Sequence, residues 1–206
     1  MIKNSSLIED KIEKHFEKFQ KCDRFKHSKS VVKMALTLNK IHNLGIDEEK
    51  IKLAGLLHDY AKAYPIDIQK KCLEEQINDK VIKQNINELE KAPLIWHGFI
   101  GPELIHYEFG IFDDEIDDAI FYHTTGKPNM NNLTKIIFLA DYIEPTRKFK
   151  EAKIVREIAY HSLDDAVAIC LEKTINHLNK NNQFIYPLTI ETWNFYKNIL
   201  IRRRKC

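Results

Sequence analysis

The sequence predicts an all-α fold, and three observations predict it. Apolar residues recur at three- and four-residue spacing along most of the chain, and no period-two alternation lasts long enough for a strand. Six glycines and six prolines in 206 residues are about half the usual share, which means long helices and short joints. A 44% hydrophobic content belongs to a chain with a packed core and excludes disorder. At this length the core needs no disulfides. One domain over residues 1–206 is expected, with its core at about 27–145 and helices over 151–206 packing on it.

The elements follow in order. Ile8, Ile12, Phe16 and Phe19 share one face and predict a helix over Ser6 to Gln20. A second runs from about His27 to Leu44, with Gly45 as its C-cap. Asp47 reads as the N-cap of a third that continues to about Ala63, before Pro65. Further helical stretches are expected at 66–77, 80–90, 98–109, 113–123 and 132–144. Two more fall at 151–160 and 162–180, and a last one starts near Pro187. Gly98, Gly101, Gly110 and Gly126 are expected at or near joints.

Composition excludes several roles. Lys and Arg (32) nearly cancel Asp and Glu (30), so no overall basic field is available to grip nucleic acid. The Arg202-Arg203-Arg204-Lys205 run reads as a solvated helix end, where cations suit the carbonyl pole. Cys22, Cys72, Cys170 and Cys206 are far apart and read as reduced thiols. Met1 to Ser6 lacks the apolar run of a signal peptide, and the apolar stretch Ile136 to Ile143 is too short to span a bilayer. A cytoplasmic protein without membrane contact is expected.

The informative residues are polar ones on apolar stripes. His58 shares a stripe with Ala54, Leu57 and Ala61, and Asp59 is its neighbour. Asp141 lies within Ile136-Ile137-Phe138-Leu139-Ala140-Asp141-Tyr142-Ile143. His27 leads a stripe through Val31, Met34, Ala35 and Leu38. His97 precedes Ile100 and Leu104, and His123 follows Ala119 and Ile120. Each has a plain alternative: a core imidazole bonded to a backbone carbonyl, or an Asp paired with Lys or Arg. A single His-Asp pair is weak evidence in a chain with nine histidines. Several misfits in one small domain favour a metal, because a buried carboxylate needs cations or several donors. Imidazole and carboxylate suit iron, manganese or zinc rather than copper(I), and the absence of thiolates weighs against a structural zinc site. His15, His42, His106, His161 and His177 are expected to be structural.

The order His27, His58-Asp59, Asp141 resembles the H…HD…D pattern of the all-helical HD-domain metal-dependent phosphohydrolases. Within that family, three blocks are similar to the YqeK group of bacterial symmetrical bis(5′-nucleosyl)-tetraphosphatases. They are Leu53-Ala54-Gly55-Leu56-Leu57-His58-Asp59-Tyr60-Ala61-Lys62, His123-Thr124-Thr125-Gly126-Lys127-Pro128-Asn129-Met130 and Ala140-Asp141-Tyr142-Ile143-Glu144-Pro145-Thr146-Arg147. Phe184-Ile185-Tyr186-Pro187-Leu188-Thr189 is a fourth match. The likeness spans about His27 to Asn194. It departs at Gly101-Pro102-Glu103, where a small residue such as Ala is expected after the Gly; the change is expected to alter a helix start and to spare the ligands.

The resemblance implies iron held by His27, His58, Asp59 and Asp141, with manganese or zinc as alternatives. It implies symmetrical hydrolysis of diadenosine tetraphosphate to two ADP, with hydroxide generated on the metal attacking an inner phosphorus in line. Asp59, Lys62, His97 and His123 are the expected catalytic groups, and Lys62 and Arg147 the expected phosphate contacts. His97 and His123 keep two readings: contacts to substrate phosphates, or ligands of a second ion with Asp59 bridging. Thr125 offers a hydroxyl beside His123. Phe184, Ile185, Tyr186, Pro187, Leu188 and Thr189 are expected to meet the nucleoside through backbone groups, with the C-terminal helices closing the nucleotide site. ADP or GDP would be product-like ligands, and a homodimer is open. Two alternatives stay alongside: the same chemistry on a mono- or triphosphate or a cyclic dinucleotide, and a catalytically weak nucleotide-binding module.

Overall fold

The computed structural model describes residues 5–75 and 80–203. Among them are twelve α-helices and two 3-10 turns, with no strand. The helices are α1 (Ser5–Lys18), α2 (Cys22–Ile41), α3 (Glu48–Leu57), α4 (Ile66–Glu75), α5 (Lys80–Gln84) and α6 (Ile86–Glu90). They continue with α7 (Trp96–Phe109), α8 (Asp114–Phe121), α9 (Asn132–Ile143), α10 (Lys150–Ala159), α11 (Leu163–Lys180) and α12 (Pro187–Arg203). The 3-10 turns are Tyr60–Ala63 and Pro93–Ile95. No helix is long and apolar enough to cross a membrane among the described residues. Arg204 to Cys206, and with them the end of the basic run, lie outside those residues.

Short polar residues start the helices as local chemistry dictates. The Asp47 carboxylate accepts from Glu49 N–H, Asn131 from Thr134 N–H and Ser162 from Asp165 N–H. Gly110, at φ +63°, closes α7 in the left-handed region. Helix α2 packs on α3 and α9, α8 on α7 and α9, and α11 on α9, α10 and α12. Leu38, Ile51, Leu57, Ile120, Ile137 and Val167 belong to the main core. A smaller cluster of Ala61, Leu73, Leu89, Trp96, Phe99 and Tyr186 lies beside it.

Four elements are built differently from expectation, and three of them shape the site. Helix α2 starts at Cys22, which puts His27 inside it; it ends at Ile41, and Gly45 stands in the following loop at φ +68°. The third helix stops at Leu57. Asp59 leaves helical geometry at φ −102°, ψ 9°, and a 3-10 turn carries the chain to Ala63. Tyr60, Ala61 and Ala63 are as buried as the helix before them, so the apolar pattern runs on while the backbone changes. Helix α7 begins at Trp96 and runs through Pro102, so Gly98 and Gly101 are interior and not joints. A Cβ on Gly101 would lie 2.7 Å from Ile120 Cγ2, and one on Gly98 3.1 Å from Phe121 O. These glycines let α7 lie close on α8, and they bring His97 to His123. The stretch 80–90 is two short helices parted at Asn85, and residues 76–77 of the fourth prediction lie outside the described residues.

Candidate functional site

Helix ends set two of the imidazoles. His58 caps α3, where the carbonyls of the last turn have no helical partner. Its Nδ1 takes one of them, Gly55 O at 2.8 Å, three residues back. His123 repeats the device after α8, with Nδ1 2.7 Å from Ile120 O. In each ring the carbonyl fixes the proton on Nδ1 and leaves the Nε2 lone pair facing inward. His58 Nε2 is buried and has no hydrogen-bond partner.

The other members converge on the same point. His97, in the first turn of α7, puts Nε2 3.1 Å from Asp59 Oδ1 and 3.0 Å from His123 Nε2. His123 Nε2 is 3.6 Å from the same Oδ1. His27 reaches Asp141 Oδ1 at 2.9 Å through Nε2. His58 Nε2 lies 3.7 Å from Asp59 Oδ2 and 4.0 Å from Asp141 Oδ1. Three overlapping sets each bring one ligand atom per residue within 4.8 Å of the others: His27–His58–Asp59, His58–His123–Asp141 and Asp59–His97–His123. An orphaned lone pair and two Nε2 atoms in contact beside the buried Asp59 and half-buried Asp141 carboxylates fit a divalent cation. The nitrogen and oxygen donors are those of a borderline-to-hard ion.

Electrostatics favour the ligand forms. Burial drives the His58 imidazole down to about 4 and His97 to about 3. Burial alone would raise Asp59, but His58, Lys62, His123 and His97 hold its carboxyl well below the usual range. Asp141 is held low against burial chiefly by the hydrogen bond from His27. Burial would lower His27 as well, and Asp141 against Nε2 raises it above the ordinary value.

Three cations rim the cluster. Lys62 Nζ is 3.4 Å from Asp59 Oδ1, and Arg147 Nη2 is 3.0 Å from Asp141 Oδ1. The third was not anticipated: Arg24 Nη1 lies 2.9 Å from Asp59 Oδ2. Its signal was spacing, since Arg24 precedes His27 by three residues on α2. Glu144 was also missed. It is fully buried, three residues beyond Asp141, and accepts from Ser30 and Thr146 while facing His27 Nδ1 at 3.2 Å.

A cleft of about 790 Å³ opens beside the cluster, with His123 and Asp141 in its lining. Phe138, Tyr142 and Phe149 are its apolar lining, and Lys173, Thr174, His177 and Lys180 of α11 line it as well. Thr124 also lines it, with a buried hydroxyl that has no partner. The Thr125 hydroxyl donates to Gly126 O at 2.9 Å instead. The Phe184–Thr189 segment does not line this cleft. Tyr186 is buried against Phe99, ring centroids 5.5 Å apart, and Thr189 N–H closes on Tyr186 O. Pro187 opens α12, Leu188 packs on the smaller cluster, Ile185 is half-buried and Phe184 is exposed beneath Lys91. The expected structural histidines include His42, bonded to Ala159 O, and His106, paired with Asp117.

Comparison with known proteins gives a consistent result. The HD domain family model matches residues 24–146. A Halalkalibacterium halodurans protein named symmetrical bis(5′-nucleosyl)-tetraphosphatase is 40% identical over 83% of this chain and 87% of its own. A Bacillus subtilis protein of the same name is 36% identical over 84% and 88%. A Clostridium acetobutylicum crystal structure, described as a predicted HD superfamily hydrolase involved in NAD metabolism, superposes with a TM-score of 0.79. It is 34% identical and aligned over 92% of this chain and 96% of its own. The converging histidines and aspartates lie within the matched span, and the chain belongs to the HD-domain family.

Proposed function

We propose that this protein is a metal-dependent hydrolase that splits diadenosine tetraphosphate at its middle bridge into two ADP. The observation that carries the reading is the cluster of four imidazoles and two carboxylates, two of whose members line a nucleotide-sized cleft. The names of the bacterial relatives supply the substrate. His27, His58, Asp59 and Asp141 would hold the ion, with iron preferred and manganese or zinc as alternatives. A bound ion of this kind lowers the pKa of its water and draws charge from a phosphoryl oxygen.

The chain's own groups bind and orient. Lys62 and Arg147 take inner phosphates, joined by Arg24, and release Asp59 and Asp141 from their present pairings. His97 and His123 contact the bridge, where the proton that His97 carries on Nε2 toward Asp59 stabilises the departing ADP oxygen; a second ion, which His97, His123 and Asp59 would hold, is the other use of the same atoms. The wall of Tyr142 and Phe149 takes one nucleoside face-on or edge-on, with Lys173 beside its phosphates. Helices α10 and α11 thereby close the nucleotide site. The Phe184–Thr189 turn meets the other nucleoside through backbone groups, and ADP or GDP would bind as product.

Product analysis tests the reading. Anaerobically purified, iron-loaded protein should give ADP alone from diadenosine tetraphosphate. AMP with ATP would refute the symmetric geometry, and no turnover would remove this substrate. Lys173→Glu should raise KM for diadenosine tetraphosphate about tenfold, roughly 1.4 kcal/mol, with kcat little changed. Steady-state kinetics check it, and an unchanged KM removes the cleft from substrate binding.

A further inference from the structure

The three cluster imidazoles with a bonded Nδ1 are not held in the same way. His58 and His123 sit at helix ends and use the free carbonyl three residues back. His27 lies within α2 (Cys22–Ile41), where neighbouring carbonyls are taken by the helix ladder. Its Nδ1 meets a side chain from a different helix end, Glu144 Oε1, at 3.2 Å.

Everything else around Glu144 donates. Ser30 Oγ donates to Oε2 at 2.7 Å, Thr146 N–H to Oε2 at 2.7 Å, and the Thr146 hydroxyl to Oε1. Arg147 Nε stands 3.8 Å from Oε1. A carboxyl ringed by donors is ionised and has no proton to give. The proton between Glu144 and His27 is therefore on Nδ1, and Nε2 gives its own proton to Asp141 at 2.9 Å; an ion that takes the place of that proton meets an Nε2 lone pair already aimed at the cluster. The backbone of Glu144 is fixed as well, because Arg156 donates to Ile143 O at 2.6 Å and to Glu144 O at 3.0 Å.

We propose that Glu144 is a positioning residue that sets the tautomer and aim of His27 for the metal, replacing the backbone carbonyl that serves His58 and His123. The same carboxylate folds the Glu144–Arg147 turn, so it ties the metal ligand on α2 to the cation expected to hold phosphate. A neutral amide could not do both: its NH2 would face Ser30 and Thr146 as a donor among donors. The inference rests on His27 being a metal ligand.

The test is metal affinity, read by chelator competition with Zn2+ or Mn2+, apart from any turnover. Glu144→Gln should weaken binding about 10- to 100-fold. In the zinc-loaded protein, 15N NMR of the imidazoles should show His27 protonated at Nδ1 alone, with that state lost or mixed in the variant. His27→Ala separates the two levels. Weak binding in His27→Ala with unchanged affinity in Glu144→Gln overturns this proposal alone; unchanged affinity in both overturns His27 as a ligand too. If Glu144→Gln does not fold, Ser30→Ala decides the matter. It removes one tether of the carboxylate and should weaken the metal several-fold, and no change would overturn the role.

Discussion

Asp59→Ala is expected to lower kcat/KM on diadenosine tetraphosphate by at least about 1000-fold and to strip the protein of bound metal, while the helices stay folded. Among the described residues no other side chain touches so many members of the site. One oxygen faces His97 at 3.1 Å, Lys62 at 3.4 Å and His123 at 3.6 Å; the other faces Arg24 at 2.9 Å and His58 at 3.7 Å. Removing it deletes a proposed ligand and the acceptor that aligns two imidazoles. The fold survives because the abandoned cations reach water: the Arg24 and Lys62 side chains are 37% and 31% exposed. Losing a buried partner costs about 3 kcal/mol, and exposure of the cations reduces that. Metal content, circular dichroism and steady-state rates on one preparation check all three parts. A variant that keeps its metal and its rate removes Asp59 from the centre.

The helices were legible in the sequence, and so were the residues that gather, because both rest on local signals. The amphipathic period gave the segments, and Asp47 marked a start that the structure keeps. The break after Leu57 was illegible for a physical reason. Periodicity reports burial, and Tyr60 and Ala61 are buried whether the backbone is α or 3-10. The interior glycines of α7 read as punctuation when their purpose is close approach, which depends on Ile120 and Phe121 of another helix. Arg24 and Glu144 escaped for the same reason. A charge next to a helix end looks solvated until the opposite helix is placed, and only then do Asp59 and His27 give each its partner. The plain alternatives turned out to be half of the answer. His58 and His123 do bond to backbone carbonyls, and Asp59 does pair with cations, yet each of these contacts leaves an inward-facing atom for something else.

Metal-free protein is expected to be most stable near pH 6.5 and to weaken on both sides, for opposite reasons. His58 and His97 are buried and held at about 4 and about 3 in the folded chain, against about 6.5 unfolded. Between pH 4 and 6.5 the unfolded chain therefore binds more protons, so stability falls as pH falls. The slope reaches at most about 1.4 kcal/mol per pH unit for each histidine. His27 has the reverse sign: raised by Asp141, it stabilises fully below 6.5, and that contribution is lost as pH rises through its folded value. Asp59 and Asp141 are depressed, so their contribution is present above about 3.9 and fades only in stronger acid. The window between 4 and 6.5 thus belongs to the neutral histidines. Urea unfolding of chelator-treated protein at half-unit steps measures it, and His97→Gln should remove about half of the acid-side slope. A flat profile across that window would mean that burial does not hold these rings neutral, and that their lone pairs are not kept ready for an ion.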